Sequence, residues 1–246
     1  MKLTQSHVAK FVGVALLGAL PLLTQAAPLL QVSIRPIQVC DDAGFNCANP
    51  LLNLFTAETE KIWAQADIMI DWLAWQTVNS SARLNEDNFS DLGNQAPANV
   101  VDLWFVNDLT DCGGPVAGTL FGCGTPSGWF ALTKAVFDYS LVGRLDTLAH
   151  ELGHVLGLGH GDFGAGGADN VMTQGSTRSI PQLLSDINPT GAMLDKLTQA
   201  QIDQARTSGY LRAITPIPEP GSILLVALAG VMLLAFSRSR GQASRH

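Results

Sequence analysis

Three of the five histidines in this chain fall within eleven residues, His150-Glu151-Leu152-Gly153-His154-Val155-Leu156-Gly157-Leu158-Gly159-His160, and the other two, His7 and His246, lie near the chain's ends. On an α-helix, residues four apart share a face, so His150 and His154 can aim two imidazole nitrogens at one ion. Glu151 stands beside the first of them, placed to handle a proton on a metal-bound water without ligating the metal. Gly157 can take positive φ and end the helix in a sharp turn, which brings His160 back as a third ligand. Three neutral nitrogen ligands and a fourth position left for water make a catalytic site, because structural sites are closed by four protein ligands. A histidine-rich helix with ordinary surface or core roles is the plain alternative. The bare five-residue pattern arises by accident far more easily than the extended one.

The spacing H-E-x-x-H-x-x-G-x-x-H resembles the signature of the metzincin metallopeptidases. That resemblance implies an α+β, metzincin-like zincin fold: a twisted mixed sheet, an active-site helix and a C-terminal helix, with one catalytic Zn2+ in the cleft. It implies His150, His154 and His160 as zinc ligands, Glu151 as general base and Gly157 as the turn. Met172, in Asn170-Val171-Met172-Thr173, sits twelve residues past the third histidine, where the family places a turn whose methionine packs beneath the metal. A buried gap-filler would look much the same. Several members carry a tyrosine two residues after that methionine; this chain has Gln174, and its two tyrosines, Tyr139 and Tyr210, lie elsewhere. Oxyanion stabilisation is therefore expected from zinc and backbone donors, with Gln174 as a candidate. Gly161-Asp162 after the third histidine selects no subgroup.

Both ends read as addresses. Lys2 and Lys10, the apolar run Phe11 to Leu23, and Thr24-Gln25-Ala26 form a signal peptide over residues 1–26, too short and too broken by Pro21 for a span. At the other end come Pro218-Glu219-Pro220, the uncharged stretch 221–237, then Arg238, Arg240 and Arg245. That order resembles the PEP-CTERM sorting signal of Gram-negative bacteria, which an exosortase processes. An ordinary C-terminal anchor is the alternative. The layout expected is a domain over 27–212, a linker over 213–220, a transmembrane sorting helix over 221–237 and a basic cytoplasmic tail over 238–246. The protein would pass the inner membrane, at least transiently anchored, and end at the cell surface or in the extracellular matrix.

The segment from Ala27 to Ile217 holds nine Lys/Arg against twenty Asp/Glu, net −11 where the whole chain is −7. Such a field repels nucleic acid and anionic membrane surfaces, so no nucleic-acid partner is expected. Cys40, Cys47, Cys112 and Cys123 form two close pairs in the exported part, which suggests disulfides Cys40–Cys47 and Cys112–Cys123 among three possible pairings. No C-x-x-C spacing supports a cysteine zinc site. Asp162 and Asp169 flank a glycine-rich loop that could hold Ca2+, although without regular ligand spacing a solvated turn is favoured.

Along the chain, strands are expected at Leu30–Val39, Ile68–Val78, Val100–Val106 and Trp129–Leu132, and helices at Asn53–Ala66 and Leu141–Leu156, the latter capped by Ser140 or Asp138. Residues 79–99 and 108–128 read as loops, and Thr198-x-x-Gln201 as a capping box opening a last helix. Trp63, Trp72, Trp75 and Trp104 fall in regular elements and read as core. The functional expectation is an exported zinc endopeptidase acting on peptides or proteins, its substrate added as an extended strand beside Trp129–Leu132. Two alternatives stand beside it: a cell-surface or biofilm-matrix protein with a non-catalytic metal site, and a zinc hydrolase of a non-peptide bond.

Overall fold

The computed structural model describes residues 29–49, 51–86, 88–115 and 118–214. The expected signal peptide, the Pro218-Glu219-Pro220 tripeptide, the apolar stretch and the basic tail lie outside the described residues. No helix among the described residues is long and apolar enough to cross a membrane.

In chain order the elements are β1 (Leu29–Cys40), α1 (Thr56–Ala64), β2 (Ile68–Trp72), β3 (Gln76–Asn79), α2 (Ser81–Leu84), β4 (Asn85–Glu86), β5 (Val100–Val106), β6 (Asp108–Leu109), β7 (Gly122–Thr125), β8 (Trp129–Thr133), α3 (Ala135–Asp138), α4 (Thr147–Val155), α5 (Gln199–Ala205) and β9 (Leu211–Ile214). The fold is α+β, built on one mixed sheet in the order β2-β1-β5-β8-β7. β1, β2, β5 and β8 run parallel, and β7 closes the row antiparallel to β8. β3 continues the β2 edge of β1. β9 pairs antiparallel with Leu29–Val32, and since β2 occupies one edge of those residues, β9 takes the other.

β5 is buried at six successive positions, which only a sheet covered on both faces permits. Its polar residue, Asp102, sits opposite Arg35 of β1 and accepts two hydrogen bonds from its guanidinium at 2.7 and 2.9 Å. A buried carboxylate is tolerated because that fork fills both oxygens. α1 and α4 pack together beside the sheet, α1 on β2 and α4 on β7 and β8. Trp63 and Trp104 are fully buried and Trp72 and Trp75 pack partly buried against the core. Trp63 also donates to Ala149 O of α4 at 3.2 Å, fixing the helix that carries the histidines.

Several boundaries differ from the sequence reading. Ile68–Val78 is two strands, interrupted where Leu73 N turns to Ile34 O. Residues 79–99 contain α2, β4 and a single 3-10 turn at Phe89–Asp91 rather than a plain loop. α1 is shorter at both ends. α4 begins at Thr147, not Leu141: Ser140 caps nothing, accepting instead from Val142 N inside a turn that Gly143 completes at φ +80°. The expected Thr198–Gln201 capping box is present, and α5 follows it. β9 takes in residues 213 and 214, which the sequence reads as linker.

Candidate metal centre and its cleft

α4 carries His150 and His154 one turn apart, and Gly157 at φ +93° turns the chain after the helix. His160 Nε2 then lies 3.1 Å from His150 Nε2 and 3.2 Å from His154 Nε2. A tetrahedral ion with nitrogen bonds of about 2.05 Å would space two ligands roughly 3.3 Å apart, so the three nitrogens stand close to where one ion would hold them. Among the described residues this is the one cluster of three such side chains able to share an ion.

Carbonyls set the tautomers. His150 Nδ1 donates to Val171 O at 2.6 Å and His154 Nδ1 to Leu158 O at 2.7 Å, leaving both Nε2 lone pairs toward the common centre. Burial is the largest cause holding all three imidazoles below their ordinary pKa, His150 well below and His154 down to about 4; the nearby guanidinium of Arg178 pushes the same way. Neutral imidazoles suit a metal, for which a proton would otherwise compete.

The support beneath this centre is absent from the sequence reading. Arg178 donates through Nε to Asp146 Oδ2 at 2.6 Å and through Nη1 to Thr173 O at 2.8 Å and Val171 O at 3.0 Å. Nη1 also lies 2.7 Å from His150 Nδ1, but its two hydrogens serve the two carbonyls, so Nδ1 keeps its own proton for Val171 O. One guanidinium thereby ties the first residue before α4, the turn around Met172 and the acceptor that orients His150. Asp195, fully buried beside Asp146, has its carboxyl pushed up to about 8 by burial and then by Asp146. Asp146 Oδ1 and both Asp195 oxygens have no donor, and a proton held between the two carboxyls resolves the contact.

Met172 lies fully buried against α4. A Cβ added to Gly153 would stand within 2.3 Å of its sulfur, so glycine at that helix position is what allows the approach. Asn170 Oδ1 accepts from Met172 N, and the Asn170 and Gln201 amides bond each other at 2.8 and 3.1 Å, locking the turn to α5.

Glu151 faces β7. A Cβ on Gly122 would lie 2.7 Å from its Cγ, and one on Gly124 would lie 2.4 Å from its backbone oxygen. Its carboxylate has no hydrogen-bond partner among the described residues. Burial pushes its pKa up to about 8, against the pull of Arg178 and Arg144. The strand beside the site is therefore β7. Trp129–Leu132, expected to offer its edge to substrate, lies in β8 and is paired on both sides, by β5 and β7. β7 leaves its outer edge without a strand partner among the described residues.

Both disulfides pair locally, Cys40 with Cys47 and Cys112 with Cys123, the second tying β7 to its preceding loop. Asp169 pairs with Lys196 at 2.5 Å, and Asp162 lies exposed in its turn. Gln174 is exposed and accepts from Thr177 through its backbone. Tyr139 packs edge-on against Phe121, and Tyr210 packs near Gly128.

Comparison of the sequence with protein-family models and with curated proteins finds no match. Among solved structures, the archaemetzincin of Archaeoglobus fulgidus is 18% identical, with 71% of this chain covering 99% of that one at a TM-score of 0.40. Mirolysin is 16% identical, covering 73% of this chain and 91% of its own at 0.45. A zinc-dependent peptidase of Methanocorpusculum labreanum is 15% identical, covering 70% and 99% at 0.39.

Proposed function

We propose that the protein is an exported zinc metalloendopeptidase. The observation that carries this reading is the convergence of three Nε2 atoms on one centre, with the carboxylate of Glu151, which has no hydrogen-bond partner among the described residues, on the residue after the first of them. His150, His154 and His160 would hold the zinc, which when bound supplies Lewis acidity toward a carbonyl and lowers the pKa of its water toward neutrality. Glu151 is the one carboxylate within α4. Its place directly after the first ligand, with no hydrogen-bond partner among the described residues, suits a group that takes a proton from water and returns it to a leaving amine. The outer edge of β7 offers backbone donors and acceptors to an extended peptide, and Gly122 and Gly124 keep that strand tight against Glu151. Export rests on residues 1–26 and on the two disulfides, which persist in oxidising compartments. Sorting by an exosortase-like enzyme rests on Pro218-Glu219-Pro220 and the arginine tail.

The decisive experiment is Glu151→Ala in the full chain, with zinc measured alongside cleavage of a mixed peptide library. Zinc is expected to remain at one per chain, while hydrolysis falls by about 100-fold or more. Wild-type protein that takes up no zinc, or a zinc-loaded variant that still cleaves well, would refute the assignment.

A further inference from the structure

β7 and α4 run in the same direction where they touch. Gly124 abuts the Glu151 carbonyl and the His154 Cβ, whereas Gly122 abuts the Glu151 side chain. The residue before β7, Phe121, therefore continues toward the N-terminal end of α4, and the ring of Phe121 lies 4.5 Å from the guanidinium carbon of Arg144. A peptide lying along the free edge of β7 meets Glu151 opposite Gly122 and meets Arg144 about one residue further on. If it pairs antiparallel, the better hydrogen-bonded mode, the residue arriving at Arg144 is the one that follows the scissile bond.

Arg144 lacks a full set of acceptors. It is 4% exposed, yet only its Nη2 donates, to Gly175 O at 3.0 Å. Its Nε is shut from solvent without a partner, and Nη1 donates to nothing among the described residues. The nearest carboxylate oxygen, Asp146 Oδ1, stands 3.8 Å away, too far for a hydrogen bond, while the other oxygen of Asp146 is committed to Arg178 at 2.6 Å. Two guanidiniums thus lean on Asp146, which serves only one of them. Thr147, four residues before Glu151 and so on the same face of α4, has a buried hydroxyl with no partner. The half-exposed Tyr139 ring, 5.4 Å away, flanks Arg144 on the solvent side.

We propose that Arg144, with the Thr147 hydroxyl, recognises a carboxylate side chain, Asp or Glu, on the substrate residue that follows the scissile bond. This rests on the peptidase reading for the cleft and adds its specificity. A guanidinium already desolvated by the protein gains most from an acceptor that is itself charged, and neither an amide nor an aliphatic side chain can supply one. The overall negative charge of the domain makes this local preference unlike what the net field would select.

The test uses full-length protein and two acetylated alanine-rich octapeptides that differ in a single Asp or Asn. Binding is read by competition against a fluorescent peptide, with Glu151→Gln protein, zinc-loaded and chelator-treated. The Asp peptide is expected to bind about 10- to 100-fold more tightly than its Asn twin. Arg144→Gln should erase the ratio and Arg144→Lys keep part of it. Cleavage products from the library should carry Asp or Glu at their new N-termini. Equal binding of the two peptides to protein with Arg144 intact, or no binding of either, overturns the proposal without recourse to any variant at Arg144. A clear Asp preference without any turnover by wild-type protein would leave the acidic subsite standing and remove the peptidase.

Discussion

Gly124→Ala tests whether the edge strand truly rests on the backbone of the metal-binding helix. The added methyl would sit 2.4 Å from the Glu151 carbonyl oxygen and 3.1 Å from the His154 Cβ, roughly 1 Å inside ordinary contact. The obstructing atom is helix backbone, so no rotamer change relieves it, and β7 must move away by about that 1 Å. Overpacking of this kind costs about 1–3 kcal/mol, offset in part by the roughly 0.5–1 kcal/mol that alanine gains over glycine in regular structure. For a domain of this size the net loss corresponds to a melting temperature lower by up to about 10 °C. Zinc content should not change, because no ligand lies on β7. Peptide hydrolysis should fall by about 100-fold, the order expected when a reacting group is misplaced by 1 Å. Calorimetry and hydrolysis assays are run against Gly209→Ala, where the new methyl meets nothing. A Gly124→Ala protein that melts with wild type and cleaves at the wild-type rate would show that β7 does not lie on α4 as described.

Three other outcomes are expected. Asp195 carries a folded-state pKa of about 8 against an ordinary 3.8, so it binds a proton in the folded chain that the unfolded chain releases between those values. Its stabilisation is therefore whole below about pH 4 and lost as pH rises through 8; Asp195→Asn should flatten that slope in urea titrations across the range, and an unchanged pH profile refutes the shared-proton arrangement. Arg178→Lys keeps the charge but cannot serve Asp146, Val171 O and Thr173 O together, so zinc affinity, read by competition with a chromophoric chelator, should drop by about 10- to 100-fold, and unchanged affinity refutes the role. Replacing Cys112 and Cys123 together by serine frees the loop leading into β7 and should cost about 2–3 kcal/mol in chemical unfolding, with a cost near zero showing that the loop is held by other contacts.

The histidine window was legible because its chemistry depends on residues close in sequence, where helical periodicity alone decides who faces whom. The same holds for the local disulfides and for Thr198 with Gln201, each closing a span of a dozen residues or fewer. What supports the window was not legible. Arg178, Asp146 and Asp195 meet across separations of 17 to 49 positions in sequence, and nothing in their spacing marks them apart from surface charges. The edge strand is hidden in the sequence for a different reason: in Gly122-Cys123-Gly124-Thr125 the two glycines, which contact with α4 requires, lack strand propensity. The sequence pattern starts α4 six residues early because Leu141 and Val142 continue the helical apolar spacing, yet both are exposed and the turn at Gly143 breaks the helix there.

The pairing of Leu29 with Ile214 brings the first and last described residues together at one corner of the sheet. A load applied between them would reach β9 at its last rung first and open its four residue pairs one after another, as a zipper opens, rather than shearing them all at once. Resistance to pulling would then be low at this corner and rise at α5, where the Asn170–Gln201 amide pair ties the next element to the turn under the histidines. Single-molecule extension from residues 29 and 214 should show that order, a weak early event followed by a stronger one.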